Sequence, residues 1–319
     1  MPERCDILAQ TNVHERDARV VYVDETHTYF LDGTALPLSV TGLWSQYFPH
    51  FDAEGCLDKY FAAWVVDPKS KYFTLLRYLS LVQQMDVPQQ REEIKKLWSS
   101  NGAEASGAGT LMHRDIEFHY NGLAPPDGED APEFRQFLAW KGAFLPELEL
   151  EPYRTEWSIY DEDAQLAGQI DCLLRSRKTG KYVMVDWKRC NPVPRRPGQP
   201  QELLGPDQRA FGNEMGNGPC SELSNTSFWH YVVQQRIYTC APFLRLYLWG
   251  LSLTHVRLRA RRYILETHYG MEVDSSWLVQ LHPALGAAHY VEVPRIDDVV
   301  AQIMHLRYEQ VRDAKRRKE

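Results

Sequence analysis

An aspartate and a lysine stand two residues apart at the end of an apolar run, in the segment YVMVDWKR. Side chains at i and i+2 of a β-strand point to the same face, so Asp186 and Lys188 would project together while Trp187 turns away. Such a pair is ordinarily a solvent-facing ion pair of little energetic weight. It acquires chemical meaning if further charged groups converge on the same strand end.

Two such groups stand earlier in the chain. Asp171 lies in the apolar segment QLAGQIDCLLRS, and His113 lies in the helical segment TLMHRDIEFHYNG. Two carboxylates and an imidazole suit a divalent metal, since oxygen ligands favour Mg²⁺ and the imidazole makes Mn²⁺ equally suitable. The metal would activate water against a phosphoryl group, and Lys188 would orient that water and offset the developing charge. These residues therefore predict metal-assisted phosphodiester hydrolysis.

Three strands are needed to bring the two aspartates together. YRTEWSIYD, QLAGQIDCLLRS and KYVMVDWKR alternate in the manner of strands and are separated by short turns. Three sequential strands of this kind predict an antiparallel meander, in which the end of one strand lies beside its neighbour. Asp171 and Asp186 would then converge, with His113 delivered from the preceding helix.

The segments on either side of the meander predict both helices and strands. Alternation around Asp32-Gly33 predicts a β-hairpin within 19–40, and residues 54–100 have helical apolar spacing. The small residues of NGAEASGAG, at 101–109, predict a flexible junction. The remaining predictions are helices over 131–146, in SFWHYVVQQRIYTCA and over 296–318, a long loop over 190–226, and extended segments in FLRLYLWGLSL, THVRLRARRYIL and HYVEVPRI.

Composition and charge restrict the class of protein. A chain of 319 residues with 44% hydrophobic residues and a formal net charge of −7 should be a soluble globular protein that does not coat nucleic acid by charge alone. No apolar run approaches the ~18 residues that span a bilayer, and the acidic first twenty residues differ from a signal or transit peptide. We therefore expect the cytoplasm or the nucleus. Six scattered cysteines without a CxxC pair predict reduced thiols and no iron–sulfur cluster.

Five motifs in this order resemble the PD-(D/E)XK nuclease superfamily, in its RecB-like exonuclease branch. They are GTxxH at 109–113, Glu156 in the first strand, GQID at 168–171, DWK at 186–188 and QxxxY at 234–238. The resemblance extends over about 105–250. It implies an α/β fold with a restriction-endonuclease-like core, in which helices flank a central mixed β-sheet, preceded by an N-terminal hairpin and helical region. The expected parts are 1–105, the nuclease core 106–260 and a C-terminal extension 261–319.

The resemblance also implies a role for each matching residue. Lys188 would be the catalytic lysine, and Glu156 a supporting carboxylate that orients water or a ligand. A strand-edge glutamate paired with an arginine is the alternative for Glu156. The metal, Mg²⁺ or Mn²⁺, would be held by His113, Asp171, Asp186 and the carbonyl of Trp187.

DNA would be the partner, contacted by residues on several elements. Gln234 and Tyr238 sit one helical turn apart on a face that, in this branch, lies against the active site and the DNA strand. Ser39 and Thr41, in SVT, resemble a segment of mitochondrial genome-maintenance-type exonucleases whose hydroxyls contact the DNA backbone. An ordinary helix N-cap is the alternative for these hydroxyls.

Basic residues after the third strand would add to this surface. Arg189, with Arg195, Arg196 and Arg209 in the long loop, would track a strand or clamp a DNA end, unless the loop is merely a solvated insertion. The aromatic residues Phe228, Trp229 and Tyr231 would stack bases or belong to the core.

The expected function is a Mg²⁺- or Mn²⁺-dependent DNA exonuclease acting on single-stranded ends in repair, recombination or genome maintenance. A structure-specific or flap endonuclease using the same residues is one alternative. A nucleic-acid-binding protein that has lost activity is another, although an intact set of site residues speaks against it. A zinc module built from Cys190, Cys220, His230 and Cys240 is disfavoured by its irregular spacing.

Overall fold

The computed structural model describes residues 6–126, 128–192, 202–210, 213–239 and 264–317. Its helices are α1 Ile7–Thr11, α2 Val40–Ser45, α3 Ala53–Val66, α4 Phe73–Leu81, α5 Val87–Tyr120, α6 Pro132–Glu147, α7 Ser227–Thr239, α8 Ile264–His268 and α9 Asp297–Arg316. Its strands are β1 Val20–Val23, β2 Thr28–Leu31, β3 Thr34–Ala35, β4 Leu38–Ser39, β5 Leu150–Asp161, β6 Leu166–Ser176, β7 Tyr182–Lys188, β8 Val273–Gln280 and β9 His289–Glu292.

The chain divides into two compact units. His50–Thr110 forms a helical unit in which α3, α4 and the first part of α5 enclose a core that includes Leu57 and Ile94. Met1–Pro49 and Leu111–Glu319 form the larger unit, which contains both sheets. This division differs from the three parts expected from the sequence, because β8 and β9 from the C-terminal segment complete the central sheet.

The central sheet is mixed and has helices on both faces, so the predicted α/β class is confirmed. Strands β5, β6 and β7 form the expected antiparallel meander. Strand β8 then pairs with β7 in parallel, β9 pairs with β8 antiparallel, and β4 runs parallel to the first residues of β6. One apolar cluster joins one face to α2, α7, α8 and α9, and a second joins the other face to α5 and α6.

The N-terminal hairpin is present and gains a third strand. Strand β2 pairs antiparallel with both β1 and β3. The turn between β2 and β3 is Asp32-Gly33, where both residues have positive φ, at 48° and 77°. Two successive positive φ angles suit the turn that matches the twist of a hairpin, and glycine adopts them without steric cost.

The segment 101–109 differs from its prediction, because it lies inside the continuous helix α5 rather than in a flexible junction. Alanine has the highest helix propensity of any residue, and the alanines of this segment offset the cost of its glycines. A Cβ built at Gly109 meets nothing within 4 Å, so packing does not require glycine there. His113 therefore stands on a long, regular helix.

Helices α6, α7 and α9 lie where the sequence predicts them. The extended segments predicted within 243–263 lie outside the described residues. In the part of the chain that is described, no helix is long and apolar enough to cross a membrane.

A buried carboxylate ties the turn between β5 and β6 to the C-terminal helix. Asp161 Oδ2 accepts a hydrogen bond from Tyr308 at 2.5 Å and lies 3.2 Å from His268 Nε2, while Oδ1 accepts from the Ala164 amide. Burial alone would raise the pKa of Asp161, but the bonds from His268 and Tyr308 and from the backbone lower it below its usual value. These contacts of Asp161 hold the start of β6 against α9.

We expect Tyr308→Phe to lower the free energy of unfolding by about 1.5–3 kcal/mol at neutral pH, as for other hydrogen bonds to a charged group. Because the pKa of Asp161 is depressed in the folded protein, its stabilisation is present above pH ~4 and is lost as the pH falls through the folded value. Urea unfolding at pH 7 and pH 3, with the half-exposed Tyr290→Phe as the control, measures this. A difference that does not fall at any pH down to the acid limit of folding would contradict the role of the Asp161 charge.

Candidate metal centre

Strands β6 and β7 part at the two predicted aspartates. Their ladder ends where Cys172 pairs with Val185, and the same register carried one residue further sets Asp171 opposite Asp186. At that point the Trp187 amide donates to Asp171 Oδ2 at 2.9 Å instead of joining the ladder. Each strand stays paired on its outer side, β6 with β5 and β7 with β8. The sheet therefore opens between two supported strands.

Three side chains from three elements meet at this opening. His113 Nδ1 lies 3.4 Å from Glu156 Oε1 and 3.6 Å from Asp171 Oδ2. One ligand atom from each residue lies within 4.8 Å of the other two. The three side chains are 25%, 21% and 11% exposed, in the order His113, Glu156, Asp171. They form a nitrogen and oxygen donor set that solvent reaches only in part.

Glu156 reaches this cluster through an unusual backbone conformation. Its φ is +44°, and the ladder between β5 and β6 passes from Thr155 to Trp157 without pairing it. A left-handed φ in a residue other than glycine costs about 1–3 kcal/mol, and such residues concentrate at functional sites. The Gln169 amide donates to Glu156 Oε2 at 2.7 Å and fixes the carboxylate. Glu156 thus lies in the triad, and its expected role as a supporting carboxylate that orients water or a ligand stays a prediction.

The imidazole of His113 is oriented by a backbone carbonyl. Its Nε2 lies 3.0 Å from the oxygen of Trp187, which only accepts, so Nε2–H is the donor. Burial lowers the pKa of His113, but the charges of Asp171 and Glu156 raise it to about 9 overall. A histidine that ligates a metal through one nitrogen commonly donates the other N–H to a carbonyl. Nδ1 is therefore the ligand atom that this arrangement offers.

Trp187 uses its backbone at the site and its ring in the core. The ring is 1% exposed and packs against Tyr120, Phe137 and Trp140, as expected from its alternation with Asp186 and Lys188. The carbonyl accepts the His113 N–H, and its expected role as a metal ligand stays a prediction.

Asp186 and Lys188 form a separate, nearly buried ion pair beside the triad. Lys188 Nζ lies 2.7 Å from Asp186 Oδ2, and the two side chains are 15% and 6% exposed. Burial and the nearby charge of Asp171 raise the pKa of Asp186 to about 7, against the opposing effect of Lys188. Burial lowers the pKa of Lys188, but Asp186 and Asp171 raise it above its usual value, which keeps it cationic.

The donor set of the triad fits a divalent metal. Two carboxylates and one neutral imidazole are ligands common to Mg²⁺ and Mn²⁺ sites, and Gln169 and the Trp187 carbonyl supply the outer contacts that orient such ligands. Asp186, the other expected ligand, lies beside Lys188, and its buried Oδ2 has no hydrogen-bond partner in the described part of the chain. Its role as a ligand stays a prediction.

Among the described residues the triad is the one grouping that could hold a metal. Of the zinc alternative, Cys220 is buried in the apolar core and His230 hydrogen-bonds Asn225 at 2.7 Å. Cys190 lies near Tyr231, and Cys240 lies outside the described residues.

Two of the expected DNA-contacting groups have structural roles. Tyr238 is 2% exposed, hydrogen-bonds Gln234 and packs directly on Gly168 of β6. Ser39 is the N-cap of α2, accepting from the Gly42 amide at 3.0 Å, as its alternative reading predicts. Thr41, on the first turn of α2, is exposed.

Arg189 also has a partner within the protein. Its Nε donates to Glu133 Oε1 at 2.7 Å, at the start of α6. Arg209 is exposed, whereas Arg195 and Arg196 lie outside the described residues. Phe228 is buried, and Trp229 and Tyr231 are partly buried against the same apolar cluster.

Comparison with protein-family models and with curated proteins finds no match for this chain.

Three supporting contacts in the site were not predicted from the sequence: those of Gln169 with Glu156, of Gly168 with Tyr238 and of Lys188 with Tyr231. Gln169 stands two residues before Asp171, so strand alternation could have placed both on one face. The contacts of Gly168 with Tyr238 and of Lys188 with Tyr231 join residues far apart in the chain, and no local pattern indicates them.

We expect Mn²⁺ to bind more tightly as the pH rises from 7.5 to 9, by about tenfold per pH unit, because His113 must lose its proton to become a ligand. Calorimetry in buffers of different ionisation enthalpy should find about one proton released per ion. Glu156→Gln should weaken binding at least about tenfold. Glu151→Gln, on the same strand but outside the triad, is the matched control. An affinity that is constant over this pH range, with no proton released on binding, would contradict the loss of a proton from a raised-pKa His113 on metal binding.

We expect Gly168→Ala to destabilise the protein by about 1–3 kcal/mol, because its Cβ would overlap the hydroxyl of Tyr238 and lie 2.8 Å from Cε1. Adding Tyr238→Phe should recover part of this loss by removing the overlapping hydroxyl. Gly142→Ala is the control, since a Cβ there meets nothing within 4 Å. Urea unfolding measures the wild type, Gly168→Ala, Tyr238→Phe, the double variant and Gly142→Ala, and strictly additive effects at Gly168 and Tyr238 would refute the contact.

Proposed function

We propose that this protein is a metal-dependent deoxyribonuclease that hydrolyses phosphodiester bonds of DNA from single-stranded ends. The observation that carries the proposal is the meeting of the triad His113, Glu156 and Asp171 with the ion pair of Asp186 and Lys188 where β6 and β7 part. A cation site beside a fixed ammonium offers two positive groups to one phosphate.

The fold supports the same proposal. A mixed sheet with an antiparallel meander, flanked by helices, is the framework expected of a PD-(D/E)XK nuclease. The motif residues Asp171, Asp186 and Lys188 lie on the second and third strands of that meander, and His113 lies on a preceding helix. Their order and their convergence favour the RecB-like branch that the sequence motifs resemble.

Each residue of the site would have a definite task. His113, Glu156 and Asp171 would hold Mg²⁺ or Mn²⁺, with Asp186 and the Trp187 carbonyl as the further predicted ligands. The metal when bound polarises the phosphoryl oxygen and makes a water more acidic. The Trp187 carbonyl and the Gln169 amide keep the imidazole and the carboxylate in place before substrate arrives.

Lys188 would act as a cation rather than as a base, because its carboxylate neighbours keep it protonated. From its place beside Asp186 the ammonium would orient the attacking water and offset negative charge on the phosphoryl oxygens in the transition state. The ion pair with Asp186 in turn keeps the ammonium at the site.

We expect Lys188→Ala to lower kcat on single-stranded DNA by about 10²–10³-fold, as for the loss of one donor to transition-state charge. Lys181→Ala, one residue before the other end of β7, where the lysine is partly exposed and pairs with Glu272, is the matched control. The assay is digestion of 5′- and 3′-labelled single- and double-stranded DNA with Mg²⁺ or Mn²⁺. Full activity in Lys188→Ala would refute its role.

The same assay separates the alternatives. Circular single-stranded DNA that is cut as fast as linear DNA would identify an endonuclease and contradict attack from ends. A wild-type protein that binds labelled DNA but cleaves none with either metal would be a nucleic-acid-binding protein, and the nuclease proposal would fail.

A further inference from the structure

Tyr231, on the second turn of α7, contacts the ammonium of Lys188. Lys188 Nζ lies 4.5 Å from the centre of the Tyr231 ring, within the range in which a cation is attracted to the electron-rich face. The same ammonium lies 2.7 Å from Asp186 Oδ2. Two groups from different elements, a carboxylate and an aromatic face, therefore hold one ammonium.

The Tyr231 ring is itself held in place by its surroundings. Cys190 Sγ donates to the Tyr231 hydroxyl at 3.7 Å, and the Gln280 amide donates to the Cys190 carbonyl at 2.9 Å. The ring also packs against the apolar cluster that contains Phe228 and Leu278. Contacts from β8, from its own helix and from the chain after β7 thus fix the surface that Lys188 meets.

We propose that Tyr231 is a positioning residue for Lys188, whose ring face holds the ammonium where it can meet a phosphate. The lysine side chain has four rotatable bonds. An ion pair with Asp186 alone keeps the ammonium near that carboxylate but does not fix the direction from which the ammonium approaches it. A fixed ring face removes much of the remaining freedom. The consequence for catalysis rests on the proposed nuclease function, whereas the contact itself does not.

A pair of substitutions separates the ring face from the rest of the side chain. Tyr231→Phe keeps the face and loses the hydroxyl, while Tyr231→Leu keeps apolar bulk and loses the face. With Mn²⁺ and single-stranded DNA, we expect Tyr231→Leu to lower kcat by about 10–30-fold, with KM changed less than about twofold. Tyr231→Phe should stay within about threefold of the wild type.

Phe228→Leu is the matched control, because it removes a buried ring from the same helix and the same apolar cluster. Its thermal unfolding, measured beside that of the Tyr231 variants, separates loss of fold from loss of position. Equal loss of kcat in Phe228→Leu and Tyr231→Leu would overturn the proposal, because a general disturbance of α7 would then explain both.

A second measurement needs neither metal nor substrate. Protons above an aromatic face resonate upfield, so in protein labelled with ¹³Cε-lysine the ε-protons of Lys188 should stand apart from those of exposed lysines. The signal is identified by its absence from Lys188→Arg. We expect it to remain upfield in Tyr231→Phe and to move to the common lysine position in Tyr231→Leu.

The outcomes distinguish the two proposals. An unshifted Lys188 signal in the wild type would overturn the contact with Tyr231. Full kcat in Tyr231→Leu, together with loss of activity in Lys188→Ala, would overturn the positioning role. If the wild-type protein shows a shifted Lys188 signal but no nuclease activity, the proposed function is refuted. The contact between the Tyr231 ring and the ammonium is then still supported.

Discussion

The hydrogen bond from the Trp187 amide to the Asp171 carboxylate is the interaction on which the site depends. A backbone N–H in a sheet normally donates to a carbonyl of the neighbouring strand. Here it donates to a side chain, so the ladder between β6 and β7 stops at Cys172 and Val185. Because a carboxylate takes the place of a carbonyl, the strands part without leaving the Trp187 amide unsatisfied. The gap that follows contains the candidate chemistry.

The charges at the gap explain why a cation suits it. Three carboxylates, of Glu156, Asp171 and Asp186, face two cationic side chains, His113 and Lys188. Burial and the charge of Asp171 raise the pKa of Asp186, and the charges of Asp171 and Glu156 raise the pKa of His113 against the opposing effect of burial. A divalent ion would replace the proton of His113 and add one further positive charge.

Local patterns in the sequence predict the parts of this site, and long-range packing determines how they meet. The spacing of Asp186 and Lys188 predicts that they share a face, and alternation along β5, β6 and β7 predicts the meander; both depend only on neighbouring residues. The residues that contact them cannot be predicted from neighbouring residues alone. The left-handed φ of Glu156 has no local signal, since a glutamate normally avoids it. The family motif places Glu156 near the site, but its close approach to His113 and Asp171 depends on this conformation and has no local signal.

Local sequence patterns are also insufficient to predict where elements end and which surface charges are paired. The glycines of 101–109 indicate a break, yet the alanines between them and the strong helix formers on either side continue α5 to His113. Arg189 follows Lys188 directly and has the charge of a phosphate contact. Its partner Glu133 stands on α6, 56 residues earlier in the chain, so only the folded chain shows that the guanidinium is already engaged.

Helix α7 explains how two parted strands keep a fixed separation. Tyr231, Gln234 and Tyr238 are spaced by three and four residues, so they lie along one face of the helix. Tyr238 packs on Gly168 of β6, and Tyr231 lies against Lys188 at the end of β7. Where the ladder no longer connects the strands, the side chains of one helix face contact both. The glycine at 168 is needed for this, because any Cβ there would overlap Tyr238 and push the helix from the sheet. The QxxxY spacing is therefore explained first by the support it gives to the open sheet.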